Sequence, residues 1–309
     1  YLLTFVNRPY FTDENVLKEQ GIITEEAAMN LDSPDYLAYI TLSRNLYKIS
    51  PYNTPILGSV ESIKKITKED LYECYNTFYR PNNMYLVVGG AVDPDEIVNI
   101  TTKTLDKFKK DSTTKINVKK YKEPVKVVKE YEKIIRDVNV DKISIGYKMD
   151  RHKFTIKNDV ILDLYLNMIV SLCFGASSNF REMIRKRHLV NRSGYYFDRI
   201  DDLVVFTVEA DTLNTPVYLK ELESYLSNLE VLEEDLERIK KVWISSEVVK
   251  SDYPDNLVDN IVGDLVTYRK IVPNYVDLIR NMNISTLNEV IKSLDFSNKS
   301  IVEVTKESD

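Results

Sequence analysis

A polar segment, Lys109 to Pro124, rich in Lys, Asp, Thr and Ser and poor in apolar residues, lies between two well-patterned stretches of chain. It reads as a linker. Upstream of it helices dominate: Thr12 or Asp13 can cap a helix whose apolar positions fall at Val16, Leu17, Ile22, Ile23 and Ala27. Ser33-Pro34-Asp35 closes that helix and starts another over Tyr36 to Tyr47. A Thr67 cap with Asp70 at N3 predicts a helix carrying Leu71, Tyr75 and Phe78, ended by Arg80-Pro81-Asn82-Asn83. Met84 to Gly90 reads as a short buried strand, and Asp93-Pro94 opens a further helix.

Downstream the pattern begins with strands, Val125 to Tyr131 and Val140 to Tyr147. A long apolar helix over Ile156 to Leu172 and a basic one over Asn179 to His188 follow, then paired strands Tyr195 to Ile200 and Leu203 to Ala210 around an Asp201-Asp202 turn. Helices over Thr215 to Leu229, Glu233 to Lys250, Pro254 to Tyr268 and Ser285 to Leu294 lead to a last strand, Ser300 to Thr305. Both halves end in a capped helix that leads into a strand, a hint of duplication. There is no regular βαβ alternation and no Gly-rich phosphate loop, so the expected class is α+β, with two related domains at 1–115 and 116–309.

Composition removes several functions. Lys+Arg 42 against Asp+Glu 48 gives a net charge of -6 over 309 residues, no basis for binding a nucleic-acid backbone. The apolar stretch Val160 to Ala176 is interrupted by Asp163, Asn167 and Ser171 and reads as a buried helix rather than a membrane span. Cys74 and Cys173 form no C-x-x-C, and with the acidity this leans towards the cytoplasm. His152 and His188 are the only histidines, so no H-x-x-H, H-E-x-x-H or H-x-x-E-H pair exists to build a two-histidine helical zinc site.

Glu19 and Glu26 are seven residues apart and share a helix face with Ile22 and Ile23. If that face is buried, the two carboxylates must be paired, protonated or bound to a cation; a small rotation of the helix leaves both solvated. Gly21 inside the same helix suggests a closely packed neighbour.

Several blocks together resemble a known family. Glu19-x-Gly21-Ile22-Ile23-x-Glu25-Glu26, then Tyr52-Asn53-Thr54-Pro55-Ile56-Leu57-Gly58-Ser59, Ile66-Thr67-x-Glu69-Asp70-Leu71 and Phe78-Tyr79-x-Pro81-x-Asn83-Met84 are similar in order and spacing to the insulinase and pitrilysin group of zinc metallopeptidases, whose metal motif is H-x-x-E-H. Gly175-Ala176-Ser177-Ser178-Asn179-Phe180 extends the likeness across the chain, and it resembles most the bacterial two-domain, processing-protease-like members. The resemblance implies a two-domain clamshell acting on peptides. It implies that Glu26 is the third zinc ligand and that Glu19 supports that ligand set from behind. The two histidine ligands and the general base of the motif have no counterpart in these 309 residues. The family pattern thus implies a first domain without its metal-binding segment, and a chain expected to hold no stoichiometric zinc and to be inactive alone. Arg185 matches an Arg that contacts the substrate and oxyanion; Tyr195 matches the accompanying Tyr only with extra residues between them, which leaves Tyr196 open. His188 reads as a solvated helix-end histidine. The alternative implied by the family is a non-catalytic subunit, paired with itself or with a homologue.

Overall fold

The computed structural model describes residues 1–110, 113 and 115–307; Asp111, Ser112 and Thr114 of the polar linker lie outside the described residues. In chain order the helices are α1 (Leu2–Val6), α2 (Asp13–Asp32), α3 (Pro34–Leu46), α4 (Val60–Ile63), α5 (Lys68–Phe78), α6 (Pro94–Leu105), α7 (Asp159–Phe174), α8 (Asn179–Lys186), α9 (Thr215–Leu226), α10 (Glu233–Ser251), α11 (Pro254–Tyr268), α12 (Tyr275–Arg280) and α13 (Ile284–Ser293). The strands are β1 (Tyr131–Ile135), β2 (Asp141–Asp150), β3 (Val190–Ile200), β4 (Leu203–Thr212) and β5 (Lys299–Thr305). The expected α+β class is what the structure has.

Two compact units emerge, and the chain crosses between them more than once. The first comprises 1–28, 57–119 and 248–273, the second 29–56, 120–247 and 274–309. One change of unit falls within the polar segment, after 119; residues 29–56 group with the downstream segments and 248–273 with the upstream ones.

In the second unit the sheet order is β1-β5-β2-β4-β3, with β1 and β5 parallel and the other pairs antiparallel. Ile143, Ile145, Tyr147 and Met149 of β2 and Val204, Phe206 and Val208 of β4 point to one face, where Leu162, Leu166 and Ile169 of α7 cover them. The apolar helix is therefore the core helix of this unit. On the other face Ala38, Leu42 and Leu46 of α3 pack against Leu203, Val205, Val302 and Val304. That contact is why 29–56 leaves the upstream half. Gly146 permits it: a Cβ there would lie 2.5 Å from Leu46 Cδ1.

The α3 face also buries a charge. Lys148 alternates onto it, with its side chain 0% exposed and that of Glu123 2%. Lys148 Nζ donates to Leu46 O at 2.6 Å and to Glu123 Oε1 at 3.0 Å. Glu123 also accepts the backbone N–H groups of Lys48, Ile49 and Ser50 at 2.8, 2.7 and 2.8 Å. Burial alone would raise the Glu123 pKa, but these donors outweigh it and hold the carboxyl below its ordinary 4.5. Burial pushes the Lys148 ammonium down against the pull of Glu123.

The strand expected at Val125 to Tyr131 instead begins at Tyr131. Its forward part is tied elsewhere: Val127 N donates to Asn298 Oδ1 at 3.1 Å and Val128 N to Asn45 O at 2.7 Å. The β3–β4 hairpin turns where expected, with Asp201 at φ +49°.

The first unit has no strand among its described residues. Its helices form as their sequences dictate. Thr67 and Asp70 make a reciprocal capping box on α5, and Asp93 caps α6 with Pro94 in its first turn. Tyr75 is buried and its hydroxyl donates to Val6 O at 2.6 Å. The segment 84–90 differs from expectation: it forms no strand, and Met84, Tyr85, Leu86 and Val88 are exposed. A strand requires a neighbour to take its backbone N–H and C=O groups, and no described residue of this unit supplies one.

Candidate functional site

On α2 the buried stripe is Val16 and Ala27, with half-buried Gln20 and Ile23 between them. These positions lie at helical spacing, and Gln20 Nε2 fastens the stripe by donating to Ile66 O at 2.7 Å. Glu19 and Glu26 do share one face, together with Asn15, Ile22 and Met29, but it is the exposed neighbour of the buried one. Of the two orientations open to the helix, the structure adopts the rotated, solvated one. Neither carboxylate makes a hydrogen bond or ion pair among the described residues, although Ile22 and Met29 beside them are exposed apolar side chains. Among the described residues nothing lies within 4 Å of where a Gly21 Cβ would stand, so none of them supplies the close packing expected there. Glu19 also lines a cavity of about 470 Å³ formed with Tyr10, Phe11, Val16, Ile23 and Leu71. Among the described residues no group of three or more His, Cys, Asp or Glu is placed to hold a metal ion. The carboxylates present do not by themselves make a zinc site.

The second unit separates the two residues assigned to substrate contact. Arg185 is exposed in the last turn of α8, and its guanidinium makes no hydrogen bond or ion pair among the described residues. Tyr195 is 9% exposed, stacked on Phe174 with ring centroids 4.5 Å apart, its hydroxyl 3.0 Å from that of Tyr218. Burial raises its pKa. A ring in the core, with its hydroxyl already engaged, packs and does not reach a substrate in this conformation, so the structure does not bring Arg185 and Tyr195 to one accessible surface. Strand alternation turns Tyr196 to the opposite face, where its hydroxyl donates to Glu209 Oε1 at 3.1 Å. Burial and the Glu209 charge push the Tyr196 phenol up. His188 is exposed just beyond α8 at φ +50°, and His152 Nε2 lies 3.7 Å from Asp202 Oδ1 on the surface.

The same face of the sheet carries a charged group that single-residue reading did not find. Arg192 bonds Asp35 at 2.6 Å and lies 3.4 Å from Asp211, which Lys142 meets at 2.9 Å. Nearby charges raise the Arg192 pKa, Asp211 before Asp35. Asp35 and Arg192 are too far apart in the chain for local spacing to reveal the pair. The only available signal was that β2, β3 and β4 would be neighbours.

A family model, the peptidase M16 inactive domain, matches residues 65–242. The chain belongs to this family. It is similar to the zinc protease YmfH of Bacillus subtilis (strain 168), 35% identical over 198 residues, which is 64% of this chain and 46% of that protein. It is also similar to a zinc protease of Rickettsia felis, 25% identical over 310 residues, 96% of this chain and 72% of that one. Among solved structures, an M16-like peptidase from Alicyclobacillus acidocaldarius superposes with a TM-score of 0.88 at 26% identity, covering 99% of this chain and 74% of that chain. The match thus spans about half the length of the Bacillus relative. The M16 inactive-domain match lies across both units, and the fold agrees with that of M16-like peptidases.

Proposed function

We propose that this M16 chain is part of a zinc-dependent peptidase, to which it contributes Glu26 as one metal ligand, Glu19 as its support and the second domain that engages the peptide. The observation that carries this reading is the shared exposed face of Glu19 and Glu26 on α2, two carboxylates beside bare Ile22 and Met29 with no partner among the described residues. Such a face favours an added surface that brings both apolar cover and cationic character. The zinc-protease names of the relatives support the same direction.

With two histidines in the sequence and no H-x-x-E-H, the remaining ligands and the general base must come from outside these residues. The 309-residue chain alone is expected to purify without stoichiometric zinc and without peptidase activity. Metal analysis at neutral pH checks this, and one tightly held equivalent would overturn it. In a polypeptide that joins this chain to an H-x-x-E-H segment, Glu26→Gln should abolish zinc retention and peptide hydrolysis together, whereas unchanged metal content would sink the ligand assignment.

A second reading is a non-catalytic subunit that pairs with itself or a homologue. It is favoured by the match to the inactive domain and by the burial of Tyr195, which removes one residue assigned to substrate contact. Under that reading the joined polypeptide binds peptide and cleaves none.

A further inference from the structure

A cavity of about 610 Å³ opens in the second unit where the C-terminal ends of α9 and α13 approach β2 and β5. Its size falls within the roughly 300–1,000 Å³ usual for small-molecule sites. Leu226, Leu229, Ile291, Leu294 and Phe296 supply apolar wall. Set into it is Tyr147, 1% exposed, its ring 5.2 Å from Phe296 and edge-on to it. The Tyr147 hydroxyl makes no hydrogen bond among the described residues. Burial, and after it the charge of Glu223, raise its pKa, so the phenol is protonated and able to donate. The hydroxyl is not among the buried side-chain atoms left without a partner: it opens onto the cavity, where a ligand oxygen can take its hydrogen bond.

The charges around the hydroxyl define what that ligand can be. Lys299, directly opposite Tyr147 in the β2–β5 register, is paired with Glu223 of α9, and both residues line the cavity, with exposed Lys292 in the last turn of α13 as a further cation of the lining. Asp295 is not available: its Oδ1 accepts the Ser297 N–H and hydroxyl at 3.0 and 2.5 Å, and Lys153 Nζ lies 3.0 Å from its Oδ2. Those contacts, the Ser297 hydroxyl first and Lys153 next, hold the Asp295 pKa at about 2. A ligand with a single charge entering beside Lys299 and Glu223 would gain one partner and be repelled by the other. A ligand that carries both charges as groups on one carbon meets both, its ammonium on Glu223 and its carboxylate on Lys299 and the Tyr147 hydroxyl.

From this geometry we infer that the cavity is a binding site for a free α-amino acid with a large apolar side chain, clasped by Glu223, Lys299 and Tyr147 over the Leu226, Ile291 and Phe296 wall. The site lies within one unit and uses none of the residues proposed for zinc, so the two readings stand or fall separately. Calorimetric titration of the full chain with L-phenylalanine tests it, beside 3-phenylpropionate, which lacks the ammonium, and phenethylamine, which lacks the carboxylate. Saturable binding with a Kd of about 1 mM or tighter is expected for the amino acid, and binding at least about tenfold weaker for either control. Tyr147→Phe keeps the ring and should weaken the amino acid about tenfold. Ser227 is exposed at the rim, so Ser227→Trp should block the cavity and abolish binding with the unfolding temperature unchanged. No saturable heat up to about 20 mM, equal binding of the controls, or unchanged binding in Ser227→Trp would each overturn the inference.

Discussion

The two units of this chain are built from similar helices, yet they bury very different amounts of apolar surface. In the second, a five-stranded sheet is covered on both faces, and Ile145, Val204, Phe206, Val208, Val302 and Val304 are inaccessible to solvent. In the first, Val16, Ala27, Ile63 and Tyr75 are the buried hydrophobic residues among those described, while Leu86, Val88, Val98 and Ile100 are exposed. Helix capping is equally good in both, so local signals are not what separates them. The difference is the sheet. Helices contribute marginal stability until an apolar face is covered, and in the first unit nothing among the described residues plays the part that β2, β4 and β5 play in the second.

The largest expected consequence is in amide exchange. Backbone amides of β2 and β4 should exchange at least about 10⁴-fold more slowly than an open chain, as expected for a core element of a domain stable by several kcal/mol. Amides of 84–88 should exchange close to the open-chain rate. Hydrogen exchange with mass spectrometry reads both at once, and strong protection at 84–88 would break the comparison by showing that this segment is paired in solution.

Next in size are substitutions in the second unit. Phe206→Ala removes a ring packed against Tyr147, Phe174, Phe197 and Phe296 and should cost about 3–5 kcal/mol, seen as a lowered denaturation midpoint. Glu123→Gln should cost about 3 kcal/mol, because Lys148 is left buried without its carboxylate. Glu123 also gives this unit an acid dependence. Its folded pKa is depressed, so its stabilisation is fully present above the ordinary 4.5 and is lost as pH falls through the folded value. The loss in stability between pH 5 and lower pH should therefore be smaller in Glu123→Gln than in the parent, as followed by denaturation at each pH.

How far these differences can be read in the sequence depends on range. Thr67 with Asp70, and Asp93 with Pro94, are decided within one helical turn, and both form as expected. The strand at Met84 to Gly90 has the right residues but depends on a partner, and composition does not carry that information. Residues 29–56 read as part of the upstream half until Gly146 and Leu46 are seen in contact, a pairing across the polar linker that no local pattern encodes. The candidate site divides in the same way. That Glu19 and Glu26 share a face follows from their spacing; which way the face turns is set by Ile66 and other distant residues. Tyr195 and Tyr196 are adjacent, and strand register alone decides which of them enters the core.

Smaller effects probe the first unit on its own terms. Tyr75→Phe removes the hydroxyl that donates to Val6 O and accepts from Lys110 Nζ at 2.5 Å. It should cost about 1 kcal/mol and speed exchange in α1 and α5 while leaving β2 and β4 unchanged. Equal acceleration in the sheet would show that the two units open together.

The smallest expected effect is the most informative about what the exposed face of the first unit does. Val98 on α6 is 63% exposed and, with Leu86, Val88, Val92 and Ile97, lines a shallow cavity of about 400 Å³. If that face is bare in solution, Val98→Asp should change stability by no more than about 0.5 kcal/mol, as an ordinary surface substitution does, and should lower any concentration-dependent self-association. A buried valine replaced by a charge behaves otherwise, because the carboxylate must be desolvated or protonated. A loss well above 1 kcal/mol at Val98, measured at several protein concentrations, would therefore mean that the face is covered in solution. If the loss shrinks with dilution the cover is a second copy, because dilution strips that cover from the parent as well; if it does not, the cover comes from the same molecule, and the contrast between the units narrows accordingly.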